Sequence, residues 1–237
     1  MMRIFKIIRR KTPVENKTRE YLKYAILEVI LVMAGILLAL QINNWNEERK
    51  DKIKEKSLLD DLIENLEINI HLLFEGLEID KKAIQSSEII LDIIRNNKQY
   101  SDSLDVHFQN SRIVKHPYLS NSAFEAIENE GFYIIRSKEL RKEIINLFDN
   151  TYPSMTREIS LIDETVIKPT MQMFMIDNFE QINNRSVPND FNRLLDNQQY
   201  INILTINMSL QTWFKNQRNH SLNETERLLQ HIKNELN

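Results

Sequence analysis

From Tyr21 to Glu48 the chain reads YLKYAILEVILVMAGILLALQINNWNEE. Within the 18 residues from Ala25 to Ile42, only Glu28 and Gln41 are strongly polar. A helix of that length spans about 27 Å at 1.5 Å per residue, close to the ~30 Å apolar core of a bilayer. Tyr21 and Tyr24 at one end and Trp45 at the other are the amphipathic rings that favour the headgroup zone. The pattern predicts one membrane-spanning helix over 24–45. A cleaved signal peptide does not fit, because the run ends in QINNWNEERK with no small-residue cleavage step. A soluble core helix would show a polar stripe, and Val29–Leu40 is apolar all round except for Gly35.

Beyond Trp45 the helical period persists. Leu59, Leu62, Leu66, Ile70, Leu73, Leu77 and Ile84 recur on one side, with Glu, Asp and Lys on the other. The stretch lacks proline, so the anchor helix continues outward as one long helix, with Gly76 or Ser86–Ser87 as possible breaks. Its apolar face suits a coiled coil in a dimer or, preferred here, packing inside a single-chain bundle. Residues 97–118 are more polar and connect, with a short helix at 102–110. Ser122 with Glu125 has capping-box spacing and predicts a helix start, which Gly131 ends in a left-handed conformation. Ser137 predicts the cap of the next helix, with Leu140, Ile144, Leu147 and Phe148 buried; Phe132–Ile135 plugs the bundle end. A further helix is expected over 155–179 with a kink at Pro169, then a loop over 180–190. Two last helices, 190–218 and 221–236, are separated by the polar Asn219–Ser221.

The fold class is therefore all-α: an N-terminal transmembrane helix running into a long helix and an extramembrane bundle. The expected division is a basic segment 1–23, the span 24–45 and a bundle 46–237. Only three glycines among 237 residues argue against a turn-rich β domain. The absence of cysteine excludes disulfides, zinc ribbons and thiol catalysis.

Charge adds orientation. Arg3, Lys6, Arg9, Arg10, Lys11, Lys17, Arg19 and Lys23 precede the span, against Arg49, Lys50, Lys52, Lys54 and Lys56 closely after it. The excess before the span puts the N-terminus in the cytoplasm and the bundle outside, periplasmic at a Gram-negative inner membrane. Ile4, Phe5, Ile7 and Ile8 interleave with Arg3, Lys6, Arg9, Arg10 and Lys11, which would suit a short helix on anionic lipid; a plain orienting flank explains the same residues. A net charge of −3 leaves no nucleic-acid footprint outside this segment.

Within the span, Glu28, Val32, Gly35, Ala39 and Ile42 fall on one stripe, and Gly35 with Ala39 is a small-xxx-small pair. This face is the candidate contact with a protein partner or a second copy. Equally, Glu28 sits within about one turn of the headgroups and can snorkel there.

Candidate chemistry is sparse. His71, His107, His116, His220 and His231 show no metal-ligand spacing, and no phosphate loop, Gly-x-Ser-x-Gly or His-Glu-x-x-His is present. His71 has Glu67 and Glu75 one turn away, which reads as a surface ion pair before it reads as a site. Glu125, Glu128 and Glu130 suit the helix dipole as well as a cation. Phe124, Phe132, Tyr133, Phe148 and Tyr152 read as core rather than as a ligand pocket. No catalytic residue, metal or cofactor is expected, and the chain reads as a non-enzyme.

Two stretches carry a family resemblance. YAILEVILVMAGILLALQINNWNEERK resembles single-pass membrane proteins common in Bacteroidota, grouped as a domain of unknown function. Their span embeds an acid, ends in an ALQINNWNE-type motif and follows a basic segment like IFKIIRR. More weakly, FEAIENEGFYIIRSKELRKEIINLFDNTY is similar in its helix, glycine turn and following helix, here Gly131, Leu140 and Arg141. Leu27 departs from the glycine more usual before the acid. The resemblance implies membrane location and a helical domain, and no activity. Together these features point to a non-catalytic envelope scaffold or accessory interaction module; the rival is a ligand-sensing ectodomain that signals through a partner membrane protein.

Overall fold

The computed structural model describes residues 14–236, with side chains from 21 onward except that of residue 24. Arg3, Lys6, Arg9, Arg10 and Lys11, expected at the membrane interface, and the side chain of Tyr24 lie outside the described residues. The chain forms two compact units, one ending at Lys54 and one beginning at Glu55.

The first helix, α1 (Val14–Arg95), is one unbroken element of 82 residues. Gly76 and Ser86–Ser87 do not break it, because the seven-residue rhythm of its buried face runs straight through them. Glu55, Leu59, Leu62, Leu66, Asn69, Leu73, Gly76, Asp80, Ala83, Ser87, Ile90 and Ile94 are all buried, at alternating steps of four and three. That rhythm keeps one seam of a helix facing its neighbours. Ile70 and Ile84 fall beside the seam and are half-buried. Ahead of Glu55 the picture reverses, and the large apolar residues from Leu22 to Ile42 are all more than half exposed.

A single turn of 3-10 helix (Asp102–Leu104) leads into α2 (Asp105–Asn110), as the sequence predicts. After an irregular stretch, α3 (Ser122–Glu130) begins one residue earlier than a Ser122 cap would allow. Asn121 occupies the cap position and its amide donates to Glu125 at 2.7 Å, so the expected capping box does not form. Gly131 ends α3 at φ +90°, ψ 130°, a positive-φ conformation but not the left-handed helical one. Ser137 does cap α4 (Lys138–Ile145), accepting from the Leu140 N–H at 3.3 Å. Leu140, Ile144, Leu147 and Phe148 are buried as expected.

From α4 the chain stays helical through α5 (Tyr152–Ile162) to α6 (Met173–Asn178), with π-helical stretches at Asn146–Thr151 and Asp163–Gln172 between them. The expected kink at Pro169 is thus a widened turn. Proline has no N–H and crowds the carbonyl four residues back; a wider turn relieves that clash, and the Thr170 hydroxyl donates to the Val166 carbonyl at 2.6 Å.

Two expectations fail beyond α6. The 180–190 segment is a hairpin and not a loop: β1 (Phe179–Ile182) pairs antiparallel with β2 (Arg185–Pro188). Asn183 and Asn184 turn it with φ of 49° and 62°, the two positive values a tight hairpin turn needs. After α7 (Phe191–Leu195), the last helix α8 (Gln198–Leu236) is continuous where two helices were expected. Asn219–Ser221 is no break, because the seam of α8 passes through it: Tyr200, Leu204, Asn207, Gln211, Phe214, Arg218, Ser221, Thr225, Leu228 and Ile232 are all buried at steps of four and three. Apart from the hairpin, the described residues form an all-α fold.

Candidate functional site

Both seams are leucine-rich at their ends and polar in the middle. Asn65, Asn69 and Asp80 on α1, and Asn207, Gln211, Arg218 and Thr225 on α8, are buried. Asp80 pairs with Arg218 and Thr225 with Tyr152, while the other five meet the irregular stretch 111–121, a strap laid against both helices. A half-buried strap with no sheet or helix of its own needs other donors and acceptors for its backbone. The Asn207 amide donates to the Ser111 carbonyl, Gln211 to Ile113 at 3.0 Å, and Arg218 to Lys115. On α1, Asn69 donates to the Ser120 carbonyl at 2.8 Å and accepts from its N–H at 2.7 Å. Arg218 also bonds Asp80 through Nε at 2.7 Å, both side chains being essentially inaccessible. Burial pushes the Asp80 carboxyl up to about 6, against the pull of Arg218.

Held this way, the strap delivers His116 to the junction of α5 and the second π-helical stretch. His116 Nε2 lies 2.7 Å from Asp163 Oδ2, and Nδ1 lies 3.2 Å from Ser160 Oγ. With Nε2–H donating to the carboxylate, Nδ1 is left to accept the Ser160 proton. Asp163 is buried and also takes the Lys168 ammonium at 3.3 Å; Lys168 pairs with Glu164 as well. That second pair lowers the Glu164 carboxyl and raises the Lys168 ammonium, through the hydrogen bond first and the charge second for Glu164.

A cleft of about 360 Å³ opens beside this cluster. Val114, Ile167 and Met171 form an apolar wall; Arg112, His116, Asp163, Lys168 and Gln172 supply the polar groups. That combination is the usual anatomy of a small-ligand site. Arg112 is fixed from behind: Nε and Nη2 donate to Gln109 Oε1 at 3.0 and 2.8 Å, and Nη2 to Gln181 Oε1 at 3.0 Å. Ser186, on β2 opposite Gln181, donates to Gln109 at 2.8 Å and completes the brace. A larger cleft of about 520 Å³ lies near the first π-helical stretch, but its charged residues Asp149, Arg157 and His220 are exposed and nothing positions them.

Ser160, His116 and Asp163 have the residue types of a hydrolase triad, yet Ser160 is not among the residues lining the cleft, and a helical serine has no free N–H neighbours to receive an oxyanion. His116, Asp163 and Glu164 also bring ligand atoms within 4.8 Å of one another, the one such group among the described residues. There Lys168 sits against both carboxylates. The arrangement clamps the strap to α5.

The residues singled out from sequence lie elsewhere. Glu28, Val32, Gly35, Ala39 and Ile42 share one exposed stripe of α1, and a Cβ added at Gly35 would meet nothing within 4 Å. Tyr21 and Trp45 are exposed. His71 pairs with Glu75 at 3.3 Å on the surface, while Glu67 takes Lys233 at 2.8 Å. Phe124 stacks on Phe148 at 4.9 Å and Phe148 meets Tyr152 at 5.2 Å within the core; Tyr133 is exposed. The cleft residues gave no sequence signal beyond the Glu164–Lys168 spacing, since His116 and Asp163 are 47 positions apart. Comparison with protein-family models, with curated proteins and with solved structures finds no match.

Proposed function

We propose that this chain is a single-pass membrane protein whose helical bundle acts without catalysis, as a scaffold or accessory module for protein partners at the cell envelope. The exposed span carries the reading. α1 includes a stretch long and apolar enough to cross a membrane, none of it buried by the chain itself. Leu31, Leu37, Leu38 and Ile42 are each more than 60% exposed. A continuous apolar surface of this kind is stable against lipid or another protein and not against water. The basic excess before the span supports a cytoplasmic N-terminus and a periplasmic bundle at an inner membrane. Lipid is then one partner, and the stripe from Glu28 to Ile42 is the surface for a second copy or another membrane helix.

The test is topology. C-terminal fusions to alkaline phosphatase and to a fluorescent protein that matures in the cytoplasm should give phosphatase activity without fluorescence. Fluorescence without phosphatase reverses the orientation. Release of the chain from membranes by alkaline carbonate would remove the anchor altogether.

A second reading, a ligand-sensing domain that signals through a partner membrane protein, is favoured by one observation: the cleft beside Arg112, His116 and Lys168.

A further inference from the structure

The guanidinium of Arg112 is half-buried and fully oriented, yet every acceptor it has is a neutral amide oxygen. Among the described residues Nη1 has no partner and no carboxylate pairs with Arg112. Burial lowers its affinity for its proton, which is the signature of a cation desolvated without a counter-charge. Proteins rarely hold a charge this way unless something else completes it. Gln109 and Gln181 hold this one group, with Ser186 bracing both, at the lining of the cleft.

The other lining groups define what fits. Lys168 is shared between Asp163 and Glu164, so Arg112 is the lining cation left without a carboxylate. A single negative charge balances it; a dianion would meet Asp163 uncompensated. With Nε–H and both Nη2–H groups already engaged, Nη1 is the free nitrogen, and its N–H groups can donate to a carboxylate. In the same lining, Ile167 and Met171 offer an apolar wall to whatever carries that carboxylate.

We propose that this cleft binds a small monocarboxylate with a short apolar tail, its carboxylate on Arg112 and its tail against Ile167 and Met171. The inference deepens the ligand-sensing reading and depends on it only for the biological use of binding.

The experiment uses the full chain in lipid nanodiscs, labelled at its eight methionine methyls, with hexanoate as probe. Hexanoate should shift the Met171 resonance saturably, and hexanamide should not. Arg112→Gln should weaken the effect at least about tenfold, the worth of a charge-assisted bond. Gln172→Trp, an exposed rim position, should block it while the melting temperature stays put, which keeps the test decisive if Arg112→Gln misfolds. Equal shifts from hexanamide, a shift from inorganic phosphate in place of hexanoate, or no shift from any probe would each overturn the proposal. A partner that fails to respond while Met171 still shifts would sink the sensing reading and leave the site standing.

Discussion

Gly76 is the gap through which Arg218 crosses α1: a Cβ at Gly76 would stand 2.8 Å from Nη1 and 3.0 Å from Cδ of that arginine. The guanidinium cannot move aside, because Asp80 holds it at Nε and the Lys115 carbonyl at Nη2. Alanine is the better helix former by about 1 kcal/mol, so propensity alone predicts that Gly76→Ala stabilises. The steric conflict outweighs this, and the variant should lose about 1–3 kcal/mol in denaturant unfolding, the usual cost of overpacking. A gain in stability would show that Arg218 is free to shift.

Removing one member of the buried pair should cost more. Asp80→Asn leaves a buried cation with no counter-charge, and a loss of about 3–5 kcal/mol is expected. Arg218→Met strands the Asp80 carboxylate and the Lys115 carbonyl together. The double variant should be less damaged than the sum of the singles, and a double-mutant cycle on unfolding free energies reads the difference.

The Asp80 carboxyl also sets a pH dependence. Its folded value, about 6, lies above the ordinary 3.8, so the folded chain binds this proton more tightly than the unfolded one. The stabilising contribution is complete below about pH 4 and is lost as pH rises through about 6. Glu78, Asp92 and Glu164 are shifted down, so they act in the opposite sense only below their ordinary range. Acidifying from pH 7 to pH 5 should therefore favour the native chain relative to Asp80→Asn, by on the order of 1–2 kcal/mol. Parallel slopes for the two proteins across that interval would remove Asp80 from the account.

In membranes, contact through the Gly35 stripe should be sensitive to bulk. Gly35→Leu should abolish cross-linking between copies, or to a partner helix, while Leu37→Phe on the far side of α1 leaves it unchanged. Equal yields from both variants would assign the stripe to lipid.

Much of the architecture was legible because it rests on local rules. The leucine rhythm of α1 and the Ser137 cap need only neighbours within one or two turns. The buried polar seam was not legible, for a physical reason. Asn207, Gln211 and Arg218 look like surface residues until the strap supplies carbonyls from 96, 98 and 103 positions away. Ser221 was misread as a helix break and not as a buried seam position, because a serine beside Asn219 and His220 looks exposed until the helix packs. The hairpin escaped because each strand has only four residues, although Asn183–Asn184 carried a usable turn signal. In the cleft, Arg112 and His116 come from the irregular strap and Lys168 from a helical stretch some fifty positions on, so no local pattern joins them.

A seven-residue repeat is degenerate: leucine seams can slip by one repeat and pack almost as well. The polar residues facing the strap remove that freedom here. Shifting α8 by seven positions along α1 would set Leu204 where Gln211 now meets Ile113 and Gln211 where Arg218 now meets Asp80, leaving a carbonyl and a carboxylate without donors of the right kind. The strap thus works as an index mark, permitting one alignment of the two long helices and rejecting its near neighbours.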